Sequence, residues 1–402
     1  MKPLDGIRII DLTRIFSGPF ATQILADLGA DVVKVEKLDG GDDARSYGVL
    51  TEDDLVGPAF LALNRNKRSI AVDATMNEGR AVLKRLISQA DVVVDNFRPG
   101  VMVRLGLDYA NIVKENPRVI SCSISGFGSR GPLRSRAAND LQMQAFSGLL
   151  NMTGDREGYP VRTPVAIADM GAGLFATIGI LAALLQREKT GQGQQVETSM
   201  LAAILNLLNH FYTGFWLNGR LQPKMGTANA LGMPNQAFRT SDGWVAISAA
   251  NDGAFRRLCQ VLGAPTLATE RRFESLLSRY AHRGELVKIL SDITSTLTSD
   301  ALLSLLDRGG VSCSPVRSLD ETASDKLLDD LDLIETMDIP GLGELKTIVL
   351  AVHLSRASTG VSSSPPRLGE HTVPILREAG FSHDEVRRLE QVGAITSSAR
   401  WR

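Results

Sequence analysis

The chain has 402 residues, 44% of them hydrophobic and 22% charged, with 44 Lys and Arg against 45 Asp and Glu. That length exceeds one ordinary core and predicts two domains, and the balanced charge, with no basic block, argues against a nucleic-acid partner. The three widely spaced cysteines, Cys122, Cys259 and Cys313, make neither a disulfide framework nor a zinc knuckle, and MKPLDGIRIIDLTR has no apolar signal core, so the expected location is the cytoplasm.

Taken in chain order, the first half alternates strand and helix signals. The runs IRIIDL (7–12), DVVKVE (31–36), SIAVD (69–73), DVVVDNF (91–97) and VISCSIS (119–125) are rich in Val and Ile and read as buried parallel strands. Between them lie the helical patterns GPFATQILADLGA, NEGRAVLKRLISQA and GVMVRLGLDYANIVKENP. In the second of these Ala81, Leu83, Leu86 and Ile87 share a face. The alternation predicts an α/β fold built on an open parallel, Rossmann-like sheet. GFGSRG (126–131) matches GxGxxG after a strand, but Pro132 follows it and predicts a loop.

Cations gather near the strand termini. LNRNKRSIAVD (63–73) sets Arg65, Lys67 and Arg68 before a strand, as a solvated loop or as a phosphate site. DNFRPGVMVRLG (95–106) follows a strand end, where ligands of open α/β sheets sit. Asn96, Arg98 and Arg104 are candidates to hold one, and Lys37 follows another strand end.

Further on, ADMGAGLFATIGILAALLQ (168–186) carries the apolar run Met170–Leu185. It falls short of the roughly 18–20 residues that span a bilayer, so a buried helix and no membrane partner are expected. Asp169 stands at its head and has two readings. It is an N-cap, or it is an ionised carboxylate at a helix N-terminus that acts as a nucleophile. Gly171 and Gly173 would then leave room for a bulky reactant. Spacing leaves both readings open.

VETSMLAAILNLLNHFYTGFWLNG (196–219) reads as one buried or interface helix. AFRTSDGWVAISAAN (237–251), with its Asp242–Gly243 step, predicts a hairpin that opens a separate α+β domain, followed by helices to about 308. GGVSCSPV (309–316) is expected to turn out of that domain, and the strand-like LKTIVLAV (345–352) to add to the first one. The five histidines are scattered without an HExxH, so no metal site is indicated, and no GxSxG elbow occurs.

Together, PLDGIRIIDLTRIFSGPFATQILADLGADVVKVE, NRNKRSIAVD, DVVVDNFRPG, SISGFGSRGP, ADMGAGLFATIGILAALLQREKTGQGQ and LGEHT resemble, in that order and over nearly the whole chain, the class III CoA-transferase family. That family includes formyl-CoA:oxalate transferase, carnitine CoA-transferase and α-methylacyl-CoA racemase. The resemblance implies an interlocked homodimer. It also implies a large domain over 1–200 completed by 317–402, a linker helix over 201–225 and a small domain over 226–316. It implies that the Asp169 carboxylate attacks an acyl-CoA and passes through mixed anhydrides and an aspartyl-CoA thioester. Ile15, Phe16, Lys37, Lys67, Asn96, Phe97 and Arg104 match positions that hold CoA in relatives, with Arg98 beside them. CoA is then a substrate, and no tightly bound cofactor is expected.

Departures from the pattern narrow the choice. The racemase branch has a histidine where this chain has Asn139 and a glutamate near Asn251, so proton abstraction lacks its acid–base pair. The glycine run of the formyl-CoA enzyme is missing from MGTANALGMPNQAF (225–238). That segment looks more like the dicarboxylyl-CoA transferases, whose usual histidine stands here as Asn229. Arg14, Arg45 and Arg239 are candidates for a distal carboxylate. The expected function is CoA transfer from an acyl-CoA to a small dicarboxylic acid. The alternatives are a racemase of the same family and a non-catalytic CoA-binding protein.

Overall fold

The computed structural model describes residues 2–49 and 55–401. The chain divides into two compact units, one made of Met1–Ser147, Thr163–His210 and Leu327–Arg402, the other of Gly148–Arg162 and Phe211–Lys326. The boundaries differ from those expected. Residues 201–210 stay with the first unit, while 148–162 and 317–326 belong to the second.

The first unit is built on six parallel strands: β1 (Arg8–Asp11), β2 (Asp31–Glu36), β3 (Lys67–Val72), β4 (Val92–Asp95), β5 (Ile120–Ser125) and β6 (Gln195–Ser199). Their order is β3-β2-β1-β4-β5-β6, and Ile395–Thr396 from the far end of the chain pairs antiparallel with β3 at the outer edge. The order reverses between β1 and β4, and open α/β sheets bind ligands beyond the carboxyl ends of their strands at such a point.

One face of the sheet is covered by helix Asn77–Ser88 and by the C-terminal helices. Val82, Leu83, Leu86 and Ile87 meet Ile10, Val33 and Val93 there, joined by Ile375, Leu376 and Val386. Val82 takes the inward place expected for Ala81, which is exposed. The other side carries the first helix, Ser17–Asp27, which packs on β1, β2 and β4, and the long helix, Ile167–Thr190, which packs on β5 and β6.

The long helix has 24 residues and is apolar and long enough to cross a membrane. It outruns the sixteen-residue sequence run because Arg187 in its charged last turn folds inward, while Glu188 and Lys189 stay exposed. Arg187 is 2% exposed and pairs with Asp91 at 2.8 Å. With Ala172, Ala176, Ile180 and Ala183 buried, it is a core helix of this unit.

Three other expectations change. Residues 195–199 form edge strand β6, and Ser199 then caps helix Met200–Leu207 by accepting from the Ala202 N–H, so 196–219 is not one helix. Gly343–Ile348 pairs only with Ile334–Ile339, in a separate two-stranded sheet. Residues 101–115 break into two short helices at Gly106, whose φ is 68°.

The second unit holds the hairpin Asn235–Arg239 and Trp244–Ser248. Its third strand, Ser312–Pro315, lies where a simple turn was expected. Phe238, Val245, Phe255, Leu258, Leu286 and Leu302 fill its core.

Candidate active site

The loop between β1 and the first helix is held from three sides. The N–H of Thr13 donates to Asp11 Oδ1 at 2.9 Å, that of Arg14 to Asn96 Oδ1 at 2.9 Å, and that of Ile15 to Asp42 Oδ1 at 3.0 Å. Asn96 Nδ2 returns a bond to the Arg14 carbonyl at 2.7 Å. Asn96 follows β4 and Asp42 follows β2, so the carboxyl ends of three adjacent strands are tied at one place. Phe16 opens the first helix, with its ring 6.3 Å from that of Tyr47. The Arg14 guanidinium lies over the Phe97 ring at 5.5 Å. Ile15, Phe16, Asn96 and Phe97 are thus brought together.

Three expected cations surround this place. Lys37 is exposed just beyond β2 and pairs with Asp43 at 2.8 Å. Arg98 and Arg104 are exposed beyond β4, on the loop and on helix Val101–Leu105. Beside them a cavity of about 510 Å³ opens against β4, β5 and β6, walled in part by Asp95, Phe97, Arg98, Ser123 and Glu197. Asp95 accepts from the Ser123 hydroxyl at 2.7 Å and the Phe97 N–H at 3.2 Å, and burial pushes its carboxyl up to about 6.

Lys67 does not join them. It is 1% exposed and is the first residue of β3, at the amino end of the sheet. Its side chain runs beneath the first helix. There Nζ lies 3.1 Å from Asp11 Oδ2 and donates to the Pro19 carbonyl, the Thr22 hydroxyl and Asn64 Oδ1. Burial pulls its ammonium down to about 8 despite Asp11. Burial would push the Asp11 carboxyl up, but Lys67, Lys34 and two hydroxyls hold it well below the carboxylate range. A phosphate contact would require all four of these bonds to be surrendered. The neighbouring cations are committed too. Arg65 pairs with buried Asp27 at 2.7 Å, and Arg68 pairs with Asp31 and Glu378. Neither a solvated loop nor a phosphate site describes 65–68.

Asp169 is the third residue of the long helix, which begins after Ala166, so it is not the N-cap. The cap arrives from another helix, Asp140–Phe146. Asp140 is 3% exposed and accepts the Ala168 N–H at 2.9 Å. Gln144 donates to Asp140 at 2.6 Å and accepts the Thr163 N–H at 3.0 Å, fixing the approach to the long helix. Asn139 is spent as the cap of that neighbouring helix, in a capping box with Gln142.

The half-buried Asp169 therefore lies in a first turn, where the helix dipole favours a carboxylate. Gly173, one turn on, lies against the first helix. A Cβ there would meet the Ser17 carbonyl at 2.6 Å and the Phe20 ring at 3.0 Å. Thr177 reaches the Ala21 carbonyl at 3.5 Å, so the two helices run in the same direction with their N-termini together. That register sets Asp169 level with the Thr13–Ser17 loop. Gly173 serves helix packing, whereas a Cβ at Gly171 would meet only the Leu207 side chain at 3.2 Å and the Ala203 Cβ at 3.6 Å.

Of the arginines considered for a distal carboxylate, Arg45 is fully buried. It is bidentate to Glu36 at 2.8 Å and stacked 3.7 Å over the Phe60 ring. Arg14 remains beside the loop, and Arg239 lies in the second unit over Trp244. The Asp140 and Asp42 roles were missed in the sequence. An Asp directly ahead of an apolar run signals a cap, but nothing signals one that arrives from 28 residues upstream.

Comparison with known proteins identifies the family. The chain is 39% identical over 402 residues to an acyl-CoA transferase of Fusarium pseudograminearum, covering 98% of this chain and 88% of that one. It is 39% identical over 388 residues to succinyl-CoA:glutarate CoA-transferase of Mus musculus, covering 96% and 88%. A crystal structure of a CAIB/BAIF family protein from Brucella suis superposes with a TM-score of 0.84 at 35% identity, covering 94% of this chain and 99% of that one. The family model for CoA-transferase family III matches residues 4–372, and the chain belongs to that family.

Proposed function

We propose that this protein transfers CoA from an acyl-CoA to a dicarboxylic acid, with Asp169 as the group that carries CoA in between. The observation that carries the reading is the place of Asp169. Its carboxylate lies in the first turn of the long helix, whose Ala168 N–H is taken by Asp140, and level with the loop of Ile15 and Phe16. A dicarboxylic acceptor is supported by the mouse relative, which is named for succinyl-CoA and glutarate.

In this reading an Asp169 oxygen attacks the thioester carbonyl and expels CoA thiolate, leaving an acyl-aspartyl anhydride. The thiolate attacks the aspartyl carbonyl, and the donor acid leaves as its carboxylate. The acceptor carboxylate then attacks the aspartyl-CoA thioester and again expels thiolate. Attack of that thiolate on the acceptor carbonyl forms the new acyl-CoA and restores Asp169. Charge is conserved at each step, so no acid–base residue is required, in keeping with Asn139 acting only as a cap.

Ile15, Phe16, Asn96 and Phe97 would hold CoA, with Lys37, Arg98 and Arg104 as exposed cations for its phosphates. Arg14 is the arginine of this unit placed to meet a distal carboxylate. The reading includes a homodimer, supported by the stripe Leu174, Ile178 and Leu185 on the long helix, each more than 45% exposed. It includes a reducing compartment such as the cytosol, supported by three free thiols. The test is a matrix of acyl-CoAs and free mono- and dicarboxylic acids, with new CoA esters read by mass spectrometry. Exchange confined to dicarboxylates supports the reading. Exchange with monocarboxylates alone, or none with any acid, contradicts it.

A further inference from the structure

Ile15 has φ of 71°, in the left-handed region. A β-branched residue is poorly suited to that region and persists there only when its surroundings hold it. Its surroundings can be traced completely. The three N–H groups of 13–15 are bound by side chains of Asp11, Asn96 and Asp42. The Thr13 carbonyl accepts from Lys34 Nζ at 3.0 Å and the Arg14 carbonyl from Asn96. The acceptor on Ile15 itself is Asp42, 1% exposed.

Asp42 is in turn fixed. Its own N–H donates to Glu36 Oε2 at 2.9 Å, and its Oδ2 lies 2.8 Å from Lys34 Nζ. Glu36 is gripped by Arg45 and by the Ser69 hydroxyl at 2.6 Å. Burial would raise the Glu36 carboxyl, but Arg45 foremost brings it down to about 2. Arg45 also donates to the carbonyls of Pro366 and Trp401.

The chain of bonds ends in the LGEHT segment. The Gly369 N–H donates to Ser69 Oγ at 3.0 Å, the His371 N–H to the Ser69 carbonyl at 2.9 Å, and the Ser69 N–H to His371 Nδ1 at 3.3 Å. A buried relay therefore runs from residues 366–371 through Ser69, Glu36 and Asp42 to the backbone of Ile15. In the sequence, GGDDARS offered only Arg45 as a candidate for a distal carboxylate and LGEHT only a family resemblance, and this relay gives both a structural role.

We propose that Asp42 is a positioning residue for the transfer reaction, holding Ile15 in its left-handed conformation so that the chain enters the first helix beside Asp169. If Ile15 relaxes to an ordinary conformation, Phe16 and Ser17 turn away, and Ser17 is the residue whose carbonyl touches Gly173 one turn from Asp169. Displacements of about 1 Å at such a distance cost roughly 100-fold in rate. The inference rests on Asp169 being the nucleophile.

The test is a double-mutant cycle on kcat for CoA transfer. Asp42→Ala is expected to lower kcat about 30-fold, an order of magnitude in keeping with such displacement effects. Ile15→Gly lowers activity through lost packing, but glycine takes φ of 71° without strain. In that background, Asp42→Ala is expected to cost less than about 3-fold, because little is left to hold. An equal loss in both backgrounds overturns the proposal, since a merely structural Asp42 would not couple to residue 15. Should the alanine variant fail to fold, Asp42→Asn carries the test. Because its amide would face Lys34 Nζ, which Asp42 Oδ2 pairs at 2.8 Å, it is run in both backgrounds as well: a loss in kcat that shrinks several-fold with Ile15→Gly supports the proposal, and an equal loss overturns it. The adduct on Asp169 is measured on wild-type protein beforehand, so a failed nucleophile and a failed coupling are told apart.

Discussion

Two groups of cations look alike in the sequence and behave in opposite ways in the fold. Lys37, Arg98 and Arg104 follow β2 and β4, at the carboxyl ends of parallel strands, and stand exposed. Arg65, Lys67 and Arg68 precede or begin β3, at the amino end, and each is committed to a carboxylate: Asp27, Asp11, and Asp31 with Glu378. The difference teaches that strand direction decides which cations reach a ligand. In a parallel sheet all carboxyl ends share one rim, and the cations at the opposite rim are free to become structural. The carboxyl rim also holds a carboxylate whose hydrogen bonds come from uncharged groups. Buried Asp95 is held there by a hydroxyl and a backbone N–H and titrates near 6.

The comparison breaks most visibly at Lys67. Lys67→Ala leaves Asp11 buried with one cation fewer and should cost about 3–5 kcal/mol of stability, read as a large fall in Tm. If Lys67→Ala keeps its Tm and instead raises KM for CoA, Lys67 belongs with the first group after all.

Asp95 sharpens the contrast by its pH dependence. Its folded pKa of about 6 lies above the ordinary 3.8. The stability it contributes is full below about pH 4 and is lost as pH rises through 6. Asp95→Asn, which can keep both hydrogen bonds, should therefore stabilise the protein at pH 8 by about 1–3 kcal/mol, and the gain should vanish near pH 4. Denaturant titrations at the two pH values decide it, and a gain independent of pH would refute the assignment.

The smallest expected effect belongs to the exposed rim. Arg104→Ala should leave Tm unchanged and raise KM for CoA about 10-fold, the equivalent of about 1.4 kcal/mol, with kcat preserved because a phosphate contact acts equally in ground and transition states. A collapse of kcat at constant KM would move Arg104 off the CoA phosphates.

What was legible in the sequence follows from locality. Strands β1 to β5 are short, largely buried segments, most of them rich in Val or Ile, so each announces itself. Strand β6 does not. Gln195 and Glu197 face solvent on an edge strand and run straight into an apolar helix, which hides the boundary at Ser199. Asp169 was legible as a carboxylate at the head of an apolar helix, yet the partner of that helix's Ala168 N–H was not, because Asp140 reaches it from 28 residues upstream. The burial of Lys67 was not legible because it depends on Asp11 and Thr22, which lie 56 and 45 residues away. Gly173 was read as room for a reactant and proves to be the contact point of two helices. In each case the missing information is a partner distant in sequence.

The central claim is that Asp169 forms a covalent bond to the transferred group. The direct measurement mixes wild-type protein and Asp169→Asn with succinyl-CoA, adds hydroxylamine, and maps modified peptides by mass spectrometry. The account predicts an aspartyl hydroxamate on the Asp169 peptide of wild type. It predicts none on Asp169→Asn, which should be inactive yet within about 1 kcal/mol of wild-type stability, because asparagine keeps the size of the side chain and a carboxylate at a helix N-terminus contributes no more than that. An active Asp169→Asn protein, or an adduct on Cys122, Cys259 or Cys313 in place of Asp169, would contradict it.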